Sequence, residues 1–107
     1  MIFKYQELKE CVKEDFERFY EMGFTGKQIF PAILNEYEYG EDFCLVEEIC
    51  IYVLLSLNYI EKNLNNIEII RKLMELMNKN NENEIKNELG DEYTKFITDF
   101  NSVKSNK

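Results

Sequence analysis

Residues 43–62 read FCLVEEICIYVLLSLNYIEK, and the fold follows from how this stretch spreads its apolar side chains. Leu45, Ile49, Ile51, Val53, Leu54, Leu55, Leu57 and Ile60 point in nearly every direction around a helix. A helix that is apolar on all sides must be enclosed by others. The stretch therefore predicts a central helix over about residues 43–62, with Asp42 as its candidate N-cap. Its longest apolar run, Ile49 to Leu57, contains Ser56 and is about half the length of a membrane span. With no basic n-region and apolar h-region at the N-terminus, the expectation is a soluble, cytoplasmic protein.

The flanking sequence supplies the enclosing helices. Upstream, Leu8, Val12, Phe16, Phe19 and Tyr20 recur at helical spacing, with Lys, Glu and Asp between them. They predict an amphipathic helix from about Phe3 to Met22, ended by Gly23. Thr25 and Gln28 have capping-box spacing, and Phe24 and Ile29 stand at the hydrophobic-staple positions, so a second helix begins there and closes near Glu38, before Gly40. Pro31 lies one turn inside it and predicts a kink or a 3₁₀ first turn.

Downstream, Asn65 or Asn66 caps a helix with Ile67, Ile70, Leu73, Met74 and Met77 as its stripe. The Asn-rich stretch from Asn78 to Asn83 interrupts it. Ile85 and Leu89 mark a short segment up to Gly90, and a last helix runs from Asp91 to about Val103, burying Tyr93, Phe96, Ile97, Phe100 and Val103. No segment alternates with period two. The expected fold is all-α: a single domain over residues 1–107, an irregular bundle of five to six helices with residues 1–2 and 104–107 frayed. A chain of this size buries roughly 65% of its unfolded surface, enough for one modest core.

The sequence contains no histidine. That removes the commonest general base near neutral pH, the Ser-His and Cys-His nucleophile pairs, and zinc sites with His ligands. Cys11, Cys44 and Cys50 lack metal-like spacing and sit among apolar neighbours, so they are expected as free, buried thiols. Glu38, Glu41 and Asp42 could share a hard cation, but nothing matches the spacing of an EF-hand loop, and no glycine run cradles phosphate. The expectation is a protein without catalytic residues, metal site or cofactor.

The net charge of −8 is concentrated in one block. Residues 1–27 carry −1 and residues 62–107 carry 0, whereas residues 28–61 hold seven acids and no Lys or Arg, for −7. The acids cluster in Glu36-Tyr37-Glu38-Tyr39-Gly40-Glu41-Asp42, followed by Glu47 and Glu48. Asp42, Glu47 and Glu48 suit a helix N-terminus; Glu36 and Glu38, near a helix C-terminus, do not. An acidic patch repels nucleic acid and anionic membrane and attracts a basic partner, and tyrosines add rigid contact area. The candidate partner-binding residues are therefore Glu36, Tyr37, Glu38, Tyr39, Glu41, Asp42, Glu47 and Glu48. The plainer alternative is that the tyrosines pack inward and the glutamates form a solvated rim.

The order of features resembles a known family. An acidic-aromatic first helix is followed by the turn Gly23-Phe24-Thr25, a second helix closing on Asn35-Glu36-Tyr37, the acidic pair Glu41-Asp42, and an apolar helix carrying Leu54-Leu55-Ser56-Leu57. Over roughly residues 8 to 65 this is similar to the small all-α immunity proteins of bacterial polymorphic-toxin systems. Where that family tends to carry a tryptophan, this chain has Asn58-Tyr59. The resemblance implies a protein that binds one cognate toxin domain, possibly a nuclease, and occludes its active site. A nuclease groove is basic because it holds phosphates, so the acids would meet it with Tyr37 and Tyr39 as anchors. Alone, the chain would be a monomer or weak dimer. The alternative is a helical adaptor or self-associating regulatory module with no toxin partner.

Overall fold

The computed structural model describes residues 4–37, 44–77 and 82–105. Within them the chain forms α1 (Tyr5–Glu21), α2 (Gly26–Tyr37), α3 (Leu45–Glu61), α4 (Ile67–Met77), α5 (Glu82–Leu89), a 3₁₀ turn (Gly90–Glu92) and α6 (Tyr93–Ser105). No strand occurs among the described residues. The result is an all-α bundle around α3, as residues 43–62 predict.

Helix α3 packs most extensively against α1, α4 and α6. Every residue from Ile49 to Ser56 is buried, and so are Val46, Asn58 and Tyr59. Enclosing a Leu, Ile or Val side chain contributes about 1.5–3 kcal/mol, so this helix dominates the apolar energetics. The expected start of α3 shifts. Cys44 occupies the extended N-cap position without a side-chain cap bond, and the helix begins at Leu45. The expected cap, Asp42, lies outside the described residues.

Both turns at one end of the bundle close in the same way. After α1, the Phe24 and Gly23 N–H groups donate to the Phe19 and Tyr20 carbonyls, each at 3.1 Å, with Gly23 at φ +90°. After α3, the Leu64 and Asn63 N–H groups donate to the Tyr59 and Ile60 carbonyls at 2.8 and 3.1 Å, with Asn63 at φ +58°. These are paired Schellman closures, the second using asparagine where glycine is commoner.

At the start of α2 half of the expected capping box forms. The Thr25 N–H donates to Gln28 Oε1 at 2.8 Å, while the Gln28 N–H uses the Thr25 backbone carbonyl at 2.9 Å. That carbonyl also accepts from Ile29 at 3.0 Å, so the first turn mixes 3₁₀ and α bonding. Helix α2 nevertheless runs through Pro31. The Tyr59 hydroxyl enters its ladder there, accepting the Phe30 N–H at 3.0 Å and donating to the Gly26 carbonyl.

Two expected core positions lie outside the core. Tyr20 is 40% exposed, although its ring stacks on Phe16 with centroids 6.0 Å apart. Ile67 is 63% exposed because it is the first residue of α4, and the buried stripe is carried by Ile69, Ile70 and Leu73. The last helix starts at Tyr93, two residues later than expected, after the 3₁₀ turn. It buries Phe96, Phe100 and Val103, with Tyr93 and Ile97 partly covered.

Candidate functional site

Of the eight residues assigned to a partner-binding surface, Glu36, Tyr37, Glu47 and Glu48 are described; Glu38, Tyr39, Glu41 and Asp42 lie outside the described residues. Glu36 and Tyr37 form the last turn of α2, which packs on α1. Arg18 of α1 reaches Glu36 Oε1 at 2.7 Å and Asp15 Oδ1 at 3.3 Å. The Tyr37 hydroxyl donates to Asp15 Oδ2 at 3.0 Å. Asp15, Arg18, Glu36 and Tyr37 are therefore one connected group.

This corrects the reading of Glu36 as a carboxylate that gains nothing at a helix C-terminus. Its compensation comes from the neighbouring helix, where Arg18 reaches two carboxylates. Tyr37 is half-buried, its ring packed on the core and its hydroxyl held. Burial, followed by the charge and hydrogen bond of Asp15, pushes its phenol above the ordinary tyrosine value. Tyr37 is thus a fixed edge of the surface.

Glu47 and Glu48 occupy the first turn of α3 and are both partly exposed. Glu48 accepts from the Tyr52 hydroxyl one turn on, at 3.1 Å. Tyr52 in turn meets the Phe30 ring edge-on at 5.6 Å, which ties the start of α3 to α2. Of the acids of residues 28–61, Glu36 is paired with Arg18 across the contact of α1 with α2.

A second acidic feature is visible on α1. Glu7, Glu10, Glu14, Glu17 and Glu21 follow one another at intervals of three and four, which places them along one face of the helix. A shallow depression on this face, about 620 Å³, is lined by Glu10, Glu14, Glu17, Glu21, Lys13, Arg18 and Met22. Glu17 pairs with Lys62 at 3.5 Å, whereas Glu10, Glu14 and Glu21 form no ion pair among the described residues. The net charge of −1 over residues 1–27 hid this stripe, but the 3-4-3-4 spacing was there to be read.

The thiols differ from one another. Cys50 is buried, Cys44 is partly covered and Cys11 is exposed on α1, which corrects the expectation of three buried thiols. Desolvation, then the charges of Glu14, Asp15, Glu10 and Glu7, raise the Cys11 thiol above its ordinary value, which disfavours the reactive thiolate. Among the described residues no group of three Cys, Asp or Glu side chains is placed to hold a metal ion. Nor is any described helix long and apolar enough to cross a membrane.

In comparison with known proteins, no family model, no curated protein and no solved structure matches this sequence.

Proposed function

We propose that this chain is an immunity protein of the polymorphic-toxin type, a cytoplasmic inhibitor that binds one cognate toxin domain through an acidic, tyrosine-containing surface. The observation that carries the reading is the charge imbalance of residues 28–61. Seven acids stand there without a Lys or Arg, and Arg18 of α1 offsets one of them, Glu36. Beside that deficit lies Tyr37, half-buried and held by Asp15, an aromatic edge that loses little entropy on binding.

The proposed partner has a basic surface, and a nuclease groove built to hold phosphates has that character. The chain brings binding energy and steric occlusion, with no catalytic group of its own. Nucleic acid and anionic membranes carry the wrong charge for this surface.

The test is to mix the purified chain with the domain encoded beside its gene and follow association against ionic strength. The expected result is a one-to-one complex whose association rate falls as salt rises. A complex with a salt-independent rate would remove the acidic surface from the account. No complex would remove the immunity reading.

A further inference from the structure

Glu36 and Tyr37 are the last two residues of α2, a place where helices fray. Here α1 supplies the support that a helix end lacks. Asp15 and Arg18 stand one turn apart on α1, so they share a side of that helix. The Asp15 carboxylate divides its two oxygens: Oδ2 accepts from the Tyr37 hydroxyl at 3.0 Å, and Oδ1 pairs with Arg18 Nη1 at 3.3 Å. Arg18 is divided in the same way, its Nη2 reaching Glu36 Oε1 at 2.7 Å. Because Glu36 and Tyr37 are neighbours in the chain, these contacts close into a ring that spans the two helices. Its members differ in what they offer a partner. The Asp15 side chain is 19% exposed, whereas that of Glu36 is 41% exposed. Glu36 and the uncovered edge of Tyr37 are presented, and Asp15 stands behind them.

We propose that Asp15, steadied by Arg18, is the positioning residue that holds Tyr37 and Glu36 in the arrangement the basic partner meets. The proposal rests on the immunity reading and deepens it, because it gives a role in binding to residues of α1, outside the acidic block of residues 28–61. A side chain that a partner must immobilise loses rotamer freedom on contact, and that loss subtracts from affinity. Tyr37 undergoes most of this loss on folding, with its ring packed on the core and its hydroxyl bonded. Burial and the Asp15 charge raise the phenol above its ordinary value, so at neutral pH the hydroxyl keeps the hydrogen it donates. Glu36 is held by one carboxylate oxygen and stays accessible. A contact group supported from behind in this way is preorganised. With Arg18 beside it, the Asp15 charge is largely offset. Its effect on binding therefore falls on how long the partner stays and not on how fast it arrives.

The experiment measures association and dissociation rates at fixed salt, with the domain encoded beside the gene as probe. Wild type is compared with Asp15→Ala, Asp15→Asn and Tyr37→Phe, and a melting curve for each verifies that the fold persists. Asp15→Ala removes the acceptor, Tyr37→Phe removes the donor, and Asp15→Asn keeps an oxygen that accepts from the hydroxyl. The proposal expects dissociation roughly three- to tenfold faster in Asp15→Ala and in Tyr37→Phe, with association nearly unchanged. Asp15→Asn should dissociate close to the wild-type rate. Combining Asp15→Ala with Tyr37→Phe should add little to either alone, because both break the same bond. If wild type binds and Asp15→Ala dissociates no faster, even with a lower melting temperature, Asp15 is a strut of the fold; the proposal is overturned while the immunity reading stands. Slower association shared equally by Asp15→Ala and Asp15→Asn, with dissociation unchanged, would make Asp15 a steering charge and would also overturn it. If wild type does not bind, the immunity reading falls and the proposal falls with it.

Discussion

The Tyr59 hydroxyl sits against the first turn of α2, accepting the Phe30 N–H at 3.0 Å and donating its own hydrogen to the Gly26 carbonyl. An unbroken helix joins Phe30 to Gly26 directly. Here the phenol engages both groups one residue before Pro31, which has no N–H to give and whose ring crowds the carbonyl of Lys27. These two bonds lock the end of α3 to the start of α2. Its neighbours reinforce the lock: the Tyr59 ring lies 5.6 Å from Phe16 at a tilt, which adds α1 to the joint.

Tyr59→Phe keeps the ring and removes both hydroxyl bonds. The expected loss is about 1–3 kcal/mol of unfolding free energy, measured by urea denaturation. Adding Pro31→Ala should recover part of it, because an alanine there supplies the N–H that proline lacks. An unchanged midpoint in Tyr59→Phe would show that the helix closes without help.

The start of α1 is capped from the far end of the chain. Both oxygens of Glu92 accept from its first amides, Tyr5 N–H at 2.8 Å and Gln6 N–H at 3.0 Å, while the N-cap residue Lys4 gives no side-chain cap bond. Close by, the Tyr5 hydroxyl donates to Asp99 Oδ2 at 2.6 Å, and Lys9 pairs with the same carboxylate at 3.0 Å. Glu92→Ala should cost about 1–2 kcal/mol, the range of a lost cap plus its favourable charge at the helix N-terminus. Glu92→Gln should cost less, since an amide oxygen still accepts. Urea melts of the two variants check the order.

Much of this architecture was readable in the chain, and the reason differs by element. Helix α3 was legible because an all-round apolar helix admits one location. The Gly23 turn and the Thr25–Gln28 start were legible because caps are local. Glu92 and Tyr5 are separated by 87 positions, so no local pattern joins them. Arg18 and Glu36 lie 18 apart on different helices, which is why Glu36 read as uncompensated. Tyr20 and Ile67 fit the helical period yet fall at helix ends, where the stripe no longer faces a neighbour.

Ser56 sits in the middle of α3, fully buried, and its hydroxyl has no hydrogen-bond partner among the described residues. Burial without a partner costs a hydroxyl about 1–3 kcal/mol, and alanine is also the better helix former. Ser56→Ala is therefore expected to stabilise the protein by about 1 kcal/mol, seen as a higher denaturation midpoint with an unchanged slope. A destabilised variant would mean that the hydroxyl is satisfied in solution.

Alkaline pH should loosen the fold. Burial, partly opposed by the Phe30 N–H, pushes the Tyr59 phenol up from 10.0 to about 12. Tyr5 is raised by burial and then by its bond to Asp99, and the buried Cys50 thiol also lies above its ordinary value. In each case the native state holds its proton where the unfolded chain has released it. Stability is then fully present below the unfolded-state values and falls as pH rises through the interval above them. Unfolding free energy should be flat from about pH 7 to 9 and decline between about pH 9 and 12, with a shallower decline in Tyr59→Phe. A free energy constant to pH 11 would contradict the burial of these groups.

The central claim is that the acidic surface neutralises a toxin, and bacterial growth tests it most directly. Cells expressing the domain encoded beside this gene would be grown with the chain, without it, and with its Glu47→Lys, Glu48→Lys variant. The account expects rescue by wild type and reduced rescue by the charge-reversed variant at equal protein level. Growth arrest that wild type does not relieve would contradict it.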